Sequence, residues 1–190
     1  MTRHIALAAA VATLSLTFAA TAGAQAQAMP HFGISAGASI PESTFGEAVN
    51  TGYNVNAMLN FTVPLSPLGF RLEGGLNSFG MNSATGGGRV RVVNGTANVV
   101  LIPSAVMTAK PYLIAGVGAY NVSDRFSAPL GGDAFAAGGS STRVGFNGGI
   151  GLMFGLGPVG SMLEARYVSV NGDNGEGSLT YIPLTFGVTF

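Results

Sequence analysis

Between Tyr53 and Val63 the chain alternates strictly: Tyr53, Val55, Ala57, Leu59, Phe61 and Val63 fall on one set of positions, Asn54, Asn56, Met58, Asn60 and Thr62 on the other. A strand turns successive side chains to opposite faces, so this period of two makes one apolar face and one mainly polar face. The same pattern closes the chain. Ile182, Leu184, Phe186, Val188 and Phe190 share a face, with Tyr181, Pro183, Thr185, Gly187 and Thr189 opposite. Left as an edge in water, such a strand invites pairing with other chains, so it must be paired on both sides or shielded.

Eight segments of this kind follow one another: His31–Pro41, Tyr53–Val63, Phe70–Asn82, Arg89–Pro103, Tyr112–Ser123, Arg143–Leu156, Ser161–Val170 and Ser178–Phe190. Clusters of Gly, Pro, Ser, Asn and Asp separate them. Only 8 % of the residues are charged, about a third of the share usual in soluble domains. Beyond residue 28 no apolar run reaches the length of about 18 residues that marks a spanning helix. The remaining structure that satisfies its own backbone in lipid is a closed barrel. The expected fold is therefore all-β, an eight-stranded antiparallel up-and-down transmembrane β-barrel with apolar residues towards lipid and small or polar ones towards the lumen. Connection lengths agree with this. Leu65–Gly69, Ser104–Lys110 and Gly157–Gly160 fall at the end that holds both termini; the opposite end takes Glu42–Thr51, Ser83–Gly88, Asp124–Thr142 and Asn171–Gly177. Short turns beside the termini and longer loops opposite suit such barrels. A soluble lipocalin-like barrel that binds an apolar ligand is the alternative; it requires the reverse polarity, with charged outer faces.

The first residues form a separate unit. Arg3 precedes a charge-free, Ala-rich stretch from Ile5 to Ala20, and small-x-small sites allow cleavage after Ala24, Ala26 or Ala28. This reads as a secretory signal over residues 1–28, with the barrel domain over 29–190. The chain has no cysteine, so disulfides, thiol catalysis and a lipoprotein signal are excluded. Without the signal, seven basic residues face eight acidic ones, a balance that argues against nucleic acid as a partner.

The terminal strand resembles the C-terminal strand of bacterial outer-membrane barrels. With the signal, the eight alternating segments, Pro111-Tyr112 before Ala115-Gly116-Val117-Gly118, and Leu163-Glu164-Ala165-Arg166-Tyr167, residues 29–190 resemble the small OmpA/OmpX-like barrels of the porin family. The resemblance implies export through the periplasm to the bacterial outer membrane. It further implies recognition of Phe186, Val188 and Phe190 by the barrel assembly machinery, help from periplasmic chaperones, and contact with outer-membrane lipid and lipopolysaccharide.

Catalysis has little to work with. A Ser nucleophile needs a base, and His31, the one histidine after the signal, lies at the start of the first segment with no His-x-Ser around it. No enzyme activity, cofactor or metal is expected. Gly155, Gly157 and Gly160 spell G-x-G-x-x-G but fill a hairpin turn before a strand, the wrong context for a dinucleotide. Asn60 and Asn94 begin N-x-S/T triplets on the lumen face.

Four charges carry more weight. Arg71 and Glu73 stand two apart in the third segment, Glu164 and Arg166 two apart in the seventh, and parity turns all four inward from opposite walls. They are expected to form a cross-lumen ion network, the alternative being four separately hydrated charges. Pro183 interrupts the last segment, and a bulge is the simplest accommodation. Phe61, Phe70, Tyr112, Phe154 and Phe190 near one rim and Tyr53, Phe79, Tyr120, Phe146 and Tyr167 nearer the other suggest aromatic girdles. Two functions remain. One is a structural or surface-interaction barrel whose Asp124–Thr142 loop offers Arg125, Phe126 and Phe135 as contacts. The other is a narrow pore for ions or small solutes, given room by Gly33, Ser35, Gly37, Gly145, Gly149 and Gly151.

Overall fold

The computed structural model describes residues 30–63, 66–81, 88–103, 109–126, 139–156, 159–172 and 177–190, without the side chains of Arg125, Phe126 and Leu156. Eight strands follow in order: β1 (Pro30–Glu42), β2 (Gly52–Thr62), β3 (Leu68–Gly80), β4 (Gly88–Leu101), β5 (Ala109–Phe126), β6 (Ser140–Leu156), β7 (Val159–Val170) and β8 (Leu179–Thr189). A short helix, α1 (Ser43–Ala48), lies between β1 and β2. Each strand pairs antiparallel with the next, and β1 pairs with β8 from Gly33↔Thr189 to Glu42↔Thr180, which closes the barrel. The eight strands are those expected from the alternation. β5 and β6 run further than expected, their ladder reaching Ser123↔Ser140; Asn121 Nδ2 donates to Thr142 Oγ1 at 3.0 Å, so polar cross-strand pairs extend the hairpin. The signal segment and Phe135 lie outside the described residues.

The register fixes the barrel's width. The registered positions Ser123, Arg91, Ser78, Tyr53, Ala38, Leu184, Ala165, Ile150 and Leu113 form one path round the wall. That path returns to β5 at Leu113, ten residues below Ser123, a shear of ten. Eight strands so closed leave an interior just wide enough for side chains. Outside, Phe32, Val55, Phe70, Leu113, Ile150 and Phe186 are each about half exposed on a continuous apolar wall, an area far beyond what a soluble monomer shows to water and the face a barrel turns to lipid.

Three expectations are corrected. First, the lumen is not small and polar throughout. Towards the end opposite the termini Phe79, Val90, Val92, Tyr120, Val122, Val168, Val170 and Tyr181 pack as a buried apolar cluster together with Val49. From α1, Phe45 packs against this cluster: it meets Phe79 edge to face at 5.1 Å, and Phe79 meets Tyr181 at 5.5 Å. Second, Phe79, Tyr112 and Tyr120 do not join an aromatic girdle; all three are buried in the lumen. Third, there is no bulge at Pro183. β8 holds one register against β7 on both sides of it, with Ala165↔Leu184 and Val168↔Tyr181, and the pairs between them are missing. The ladder to β1 runs on unbroken through Ser39↔Pro183, so the lost amide donor opens a local gap on one side only.

Phe79→Ala removes the ring shared by Phe45 and Tyr181. It is expected to cost about 3–5 kcal/mol in urea unfolding of the barrel in lipid vesicles and to expose the α1 segment to protease; an unchanged midpoint would show that the aromatic stack contributes nothing.

Candidate functional site: the charged lumen

Below the apolar cluster, β3 and β7 face each other across the barrel. Because inward positions recur every second residue, β3 contributes Arg71 and Glu73 and β7 contributes Glu164 and Arg166, and all four side chains are buried. Arg71 Nη1 donates to Glu164 Oε2 at 2.7 Å. Arg166 grips Glu73 with both terminal nitrogens, Nη1 to Oε1 at 3.1 Å and Nη2 to Oε2 at 2.6 Å. Its Nε also donates to Glu164 Oε1. Glu164 thus joins both arginines, and the four charges sum to zero. Such fork-on-carboxylate pairs are the strong form of the charge-assisted hydrogen bond.

Neutral groups complete the set. Tyr112 Oη donates to Glu164 Oε2 at 2.6 Å, and the Arg71 guanidinium lies over the Tyr112 ring with 5.6 Å from its carbon to the centroid. Asn60 Oδ1 accepts from Arg71 Nε at 2.7 Å. Towards β1, β2 and β4 an amide and hydroxyl ladder continues: Ser39 Oγ donates to Asn77 Oδ1 at 2.8 Å, Asn77 Nδ2 to Asn94 Oδ1 at 3.3 Å, and Asn56 Nδ2 to Ser35 Oγ at 3.1 Å. A polar lumen of this kind is stabilising only when its members satisfy one another.

Sequence reasoning named the four charges but missed Tyr112. Both faces of β5 are apolar, Leu113, Ala115 and Val117 on one and Ile114 with Val122 on the other, so alternation held no sign of which was inward. A usable signal lies across the ladder: Tyr112 is registered with Gly151. A Cβ on Gly151 would lie 2.3 Å from the Tyr112 ring, and one on Gly149 would lie 2.9 Å from Arg166 Cγ. Of the small residues read as room for a pore, Gly145, Gly149 and Gly151 are seats for Tyr120, Arg166 and Tyr112.

Two spaces flank the network. Between the network and the apolar cluster is a cavity of about 20 Å³ lined by Glu73, Asn77, Tyr120, Arg166 and Tyr181, on the order of one water molecule. On the other side of the network the lumen opens towards the terminal end as a vestibule of about 340 Å³ bordered by His31, Asn60, Arg71, Lys110 and Ser161. Ser161 Oγ has no hydrogen-bond partner, so no base is in place to activate it. Among the described residues no three His, Asp or Glu side chains gather as metal ligands.

The remaining named residues are dispersed. Phe186 and Phe190 are exposed on the outer wall and Val188 is half-buried on the same face; Phe190 N donates to the Phe32 carbonyl at 2.8 Å. Arg125 and Phe126 end β5.

No protein-family model matches the chain, and no curated protein matches it. Solved structures do. Neisserial surface protein A is similar at a TM-score of 0.64 and 18 % identity, over 84 % of this chain and 95 % of that one. A major outer membrane protein of Thermus thermophilus follows at 0.58 and 16 %, over 85 % and 99 %. Ail, the attachment invasion locus protein of Yersinia pestis, matches at 0.50 and 16 %, over 84 % and 98 %. At these identities the likeness is one of fold. The chain has the fold of the small eight-stranded outer-membrane β-barrels.

Glu73→Ala and Arg166→Ala are each expected to cost about 3–5 kcal/mol, because each strands a buried charge. The double variant should cost less than the sum by about 1–3 kcal/mol; simple additivity in the unfolding free energies would mean that the two charges do not act as a unit.

Proposed function

We propose that the protein is an exported outer-membrane barrel with a structural or surface-interaction role, its lumen closed and its long loops turned outward. The observation that carries this reading is the double closure of the lumen. The apolar cluster, with Phe45 packed on it, shuts one end, the four-charge network shuts the middle, and the space between them is about 20 Å³. A hydrated ion or solute has no path through such an interior without breaking paired buried charges, which is costly. The room for a narrow pore that the glycines suggested is occupied by Tyr112 and Arg166.

In this reading residues 1–28 are the export signal and Phe186, Val188 and Phe190 the assembly mark presented to the barrel machinery. The end with both termini faces the periplasm and α1 faces outward. The similarity to Neisserial surface protein A and to the attachment invasion locus protein supports a role at the cell surface. Arg125, Phe126 and Phe135 are the proposed loop contacts. No enzymatic role is assigned, since His31 and Ser161 share the vestibule without a hydrogen bond that would make a nucleophile.

Two measurements test this. On gels of the outer-membrane fraction, unheated protein should migrate apart from boiled protein, and removal of Phe190 should weaken that folded band; a soluble periplasmic protein without a shift overturns the reading. In planar bilayers the purified barrel should give no steady openings, and regular conductance steps would restore the pore.

A further inference from the structure

Where the lumen opens towards the terminal end, its two walls differ in chemistry. His31 on β1, Asn60 on β2 and Arg71 on β3 are successive partners in the ladders, His31↔Asn60 and Asn60↔Arg71, and make a polar row. Lys110 on β5, Met153 on β6 and Met162 on β7 are likewise successive partners, Lys110↔Met153 and Met153↔Met162. All six border the vestibule of about 340 Å³. In a closed barrel of eight strands β2 lies across from β6 and β3 from β7, so a polar wall faces a wall of two thioethers with an ammonium beside them.

The two cations converge on Tyr112. The Arg71 guanidinium lies over its ring, 5.6 Å from the centroid, and Lys110 is two residues before it on the same face of β5, about 7 Å along the strand. Met162 is there too, its sulfur 3.5 Å from Tyr112 Oη. Arg71, only 1 % exposed, gives Nη1 to Glu164 and Nε to Asn60, and among the described residues its Nη2 has no partner. Nor does a carboxylate of a described residue pair with Lys110, and no Asp or Glu borders the vestibule. A buried donor without an acceptor is costly, so an anion entering here is favoured. Water would satisfy the donors but leave the methionines wet; a ligand that is anionic at one end and apolar at the other answers both walls. A phosphate would set its further oxygens against the thioethers.

The ion network is the floor, so the space is blind, and whatever enters leaves by the same mouth. A mainly apolar cavity of this size with a few convergent polar groups is the usual form of a small-molecule site. At roughly 30 Å³ for each molecule of liquid water, it takes a ligand on the order of ten non-hydrogen atoms.

We propose that the vestibule binds a small monocarboxylate with an apolar body, its carboxylate held by Lys110 and Arg71 Nη2 and its body lying on Met153 and Met162. The site depends on the barrel alone and not on the surface role proposed above. The full-length barrel is reconstituted in phosphatidylcholine nanodiscs, which leave both mouths open, and titrated with 4-fluorophenylacetate while the fluorine NMR line is followed. Saturable broadening is expected. Lys110→Ala should weaken binding about tenfold, and the neutral 2-(4-fluorophenyl)ethanol should bind the wild type about tenfold more weakly than the acid. Gly155 borders the vestibule and a Cβ there would meet nothing within 4 Å, so Gly155→Phe fills the space and should abolish binding. Arg89→Ala, at the other end, should leave it unchanged. Equal binding of the alcohol, undiminished binding by Gly155→Phe, or displacement of the probe by acetate as readily as by phenylacetate would overturn the site. Heat-modifiable migration reports the folding of each variant. A wild type that does not insert overturns the membrane reading itself, whereas an inserted barrel without saturable broadening overturns only this inference.

Discussion

Closure of β1 on β8 is the constraint from which the rest of this molecule follows. In lipid no water is available to satisfy an open edge, so every strand needs two partners. Eight strands with a shear of ten then set an interior that side chains must fill, because a void would forfeit contacts on all its walls. The chain fills it in two chemistries. An apolar cluster that Phe45 of α1 joins occupies one end, the charges occupy the middle, and a second apolar cluster of Val100, Tyr112 and Ile114 lies towards the vestibule.

Much of this was legible in the residues. Period-two alternation located all eight strands, and parity placed Arg71, Glu73, Glu164 and Arg166 on inward faces from opposite walls. Alternation failed where both faces carry the same chemistry. Tyr112 and Tyr120 on β5 are no more apolar than their outward neighbours, and on β4 the usual polarity is reversed, with Val90 and Val92 inward beside outward Arg89 and Arg91, so nothing local marked them as lumen residues. α1 was invisible for another reason. Six residues are too few for a helical period to show, and the segment is held by Phe45 on Phe79, a contact between positions far apart in the chain. Pro183 was legible as a defect but not in its remedy. The ladder spares the seam with β1 and gives up pairing with β7, a choice set by which neighbour the missing amide faced.

The glycines are best understood with the large side chains they oppose. In a soluble core, a glycine in a strand weakens packing. In this lumen Gly151 receives Tyr112 and Gly149 receives Arg166, with no room for a Cβ at either. A larger residue at either position would collide with the residue it faces. The alternation of very small and very large residues is therefore a packing device, and it explains why a composition so rich in glycine yields a filled interior.

Why charges rather than more valines fill the lower half is a question of specificity. A buried ion pair recovers little net stability against a hydrophobic replacement of the same shape, since desolvation of both partners must be offset first. What the network adds is direction. The backbone ladder fixes each strand only to its neighbours, and β3 and β7 are not neighbours. Valines from opposite walls would tolerate a slip of one residue pair between them. The bidentate Arg166–Glu73 contact would not, and neither would the Arg71–Glu164 contact whose carboxylate also receives the Tyr112 hydroxyl. A misregistered barrel would bury unpaired charge, at a penalty of several kcal/mol for each group left alone. The four residues thus discriminate the native shear from its alternatives, and they do so at the depth where the ladder between β7 and β8 is open beside Pro183 and has the most need of a second reference.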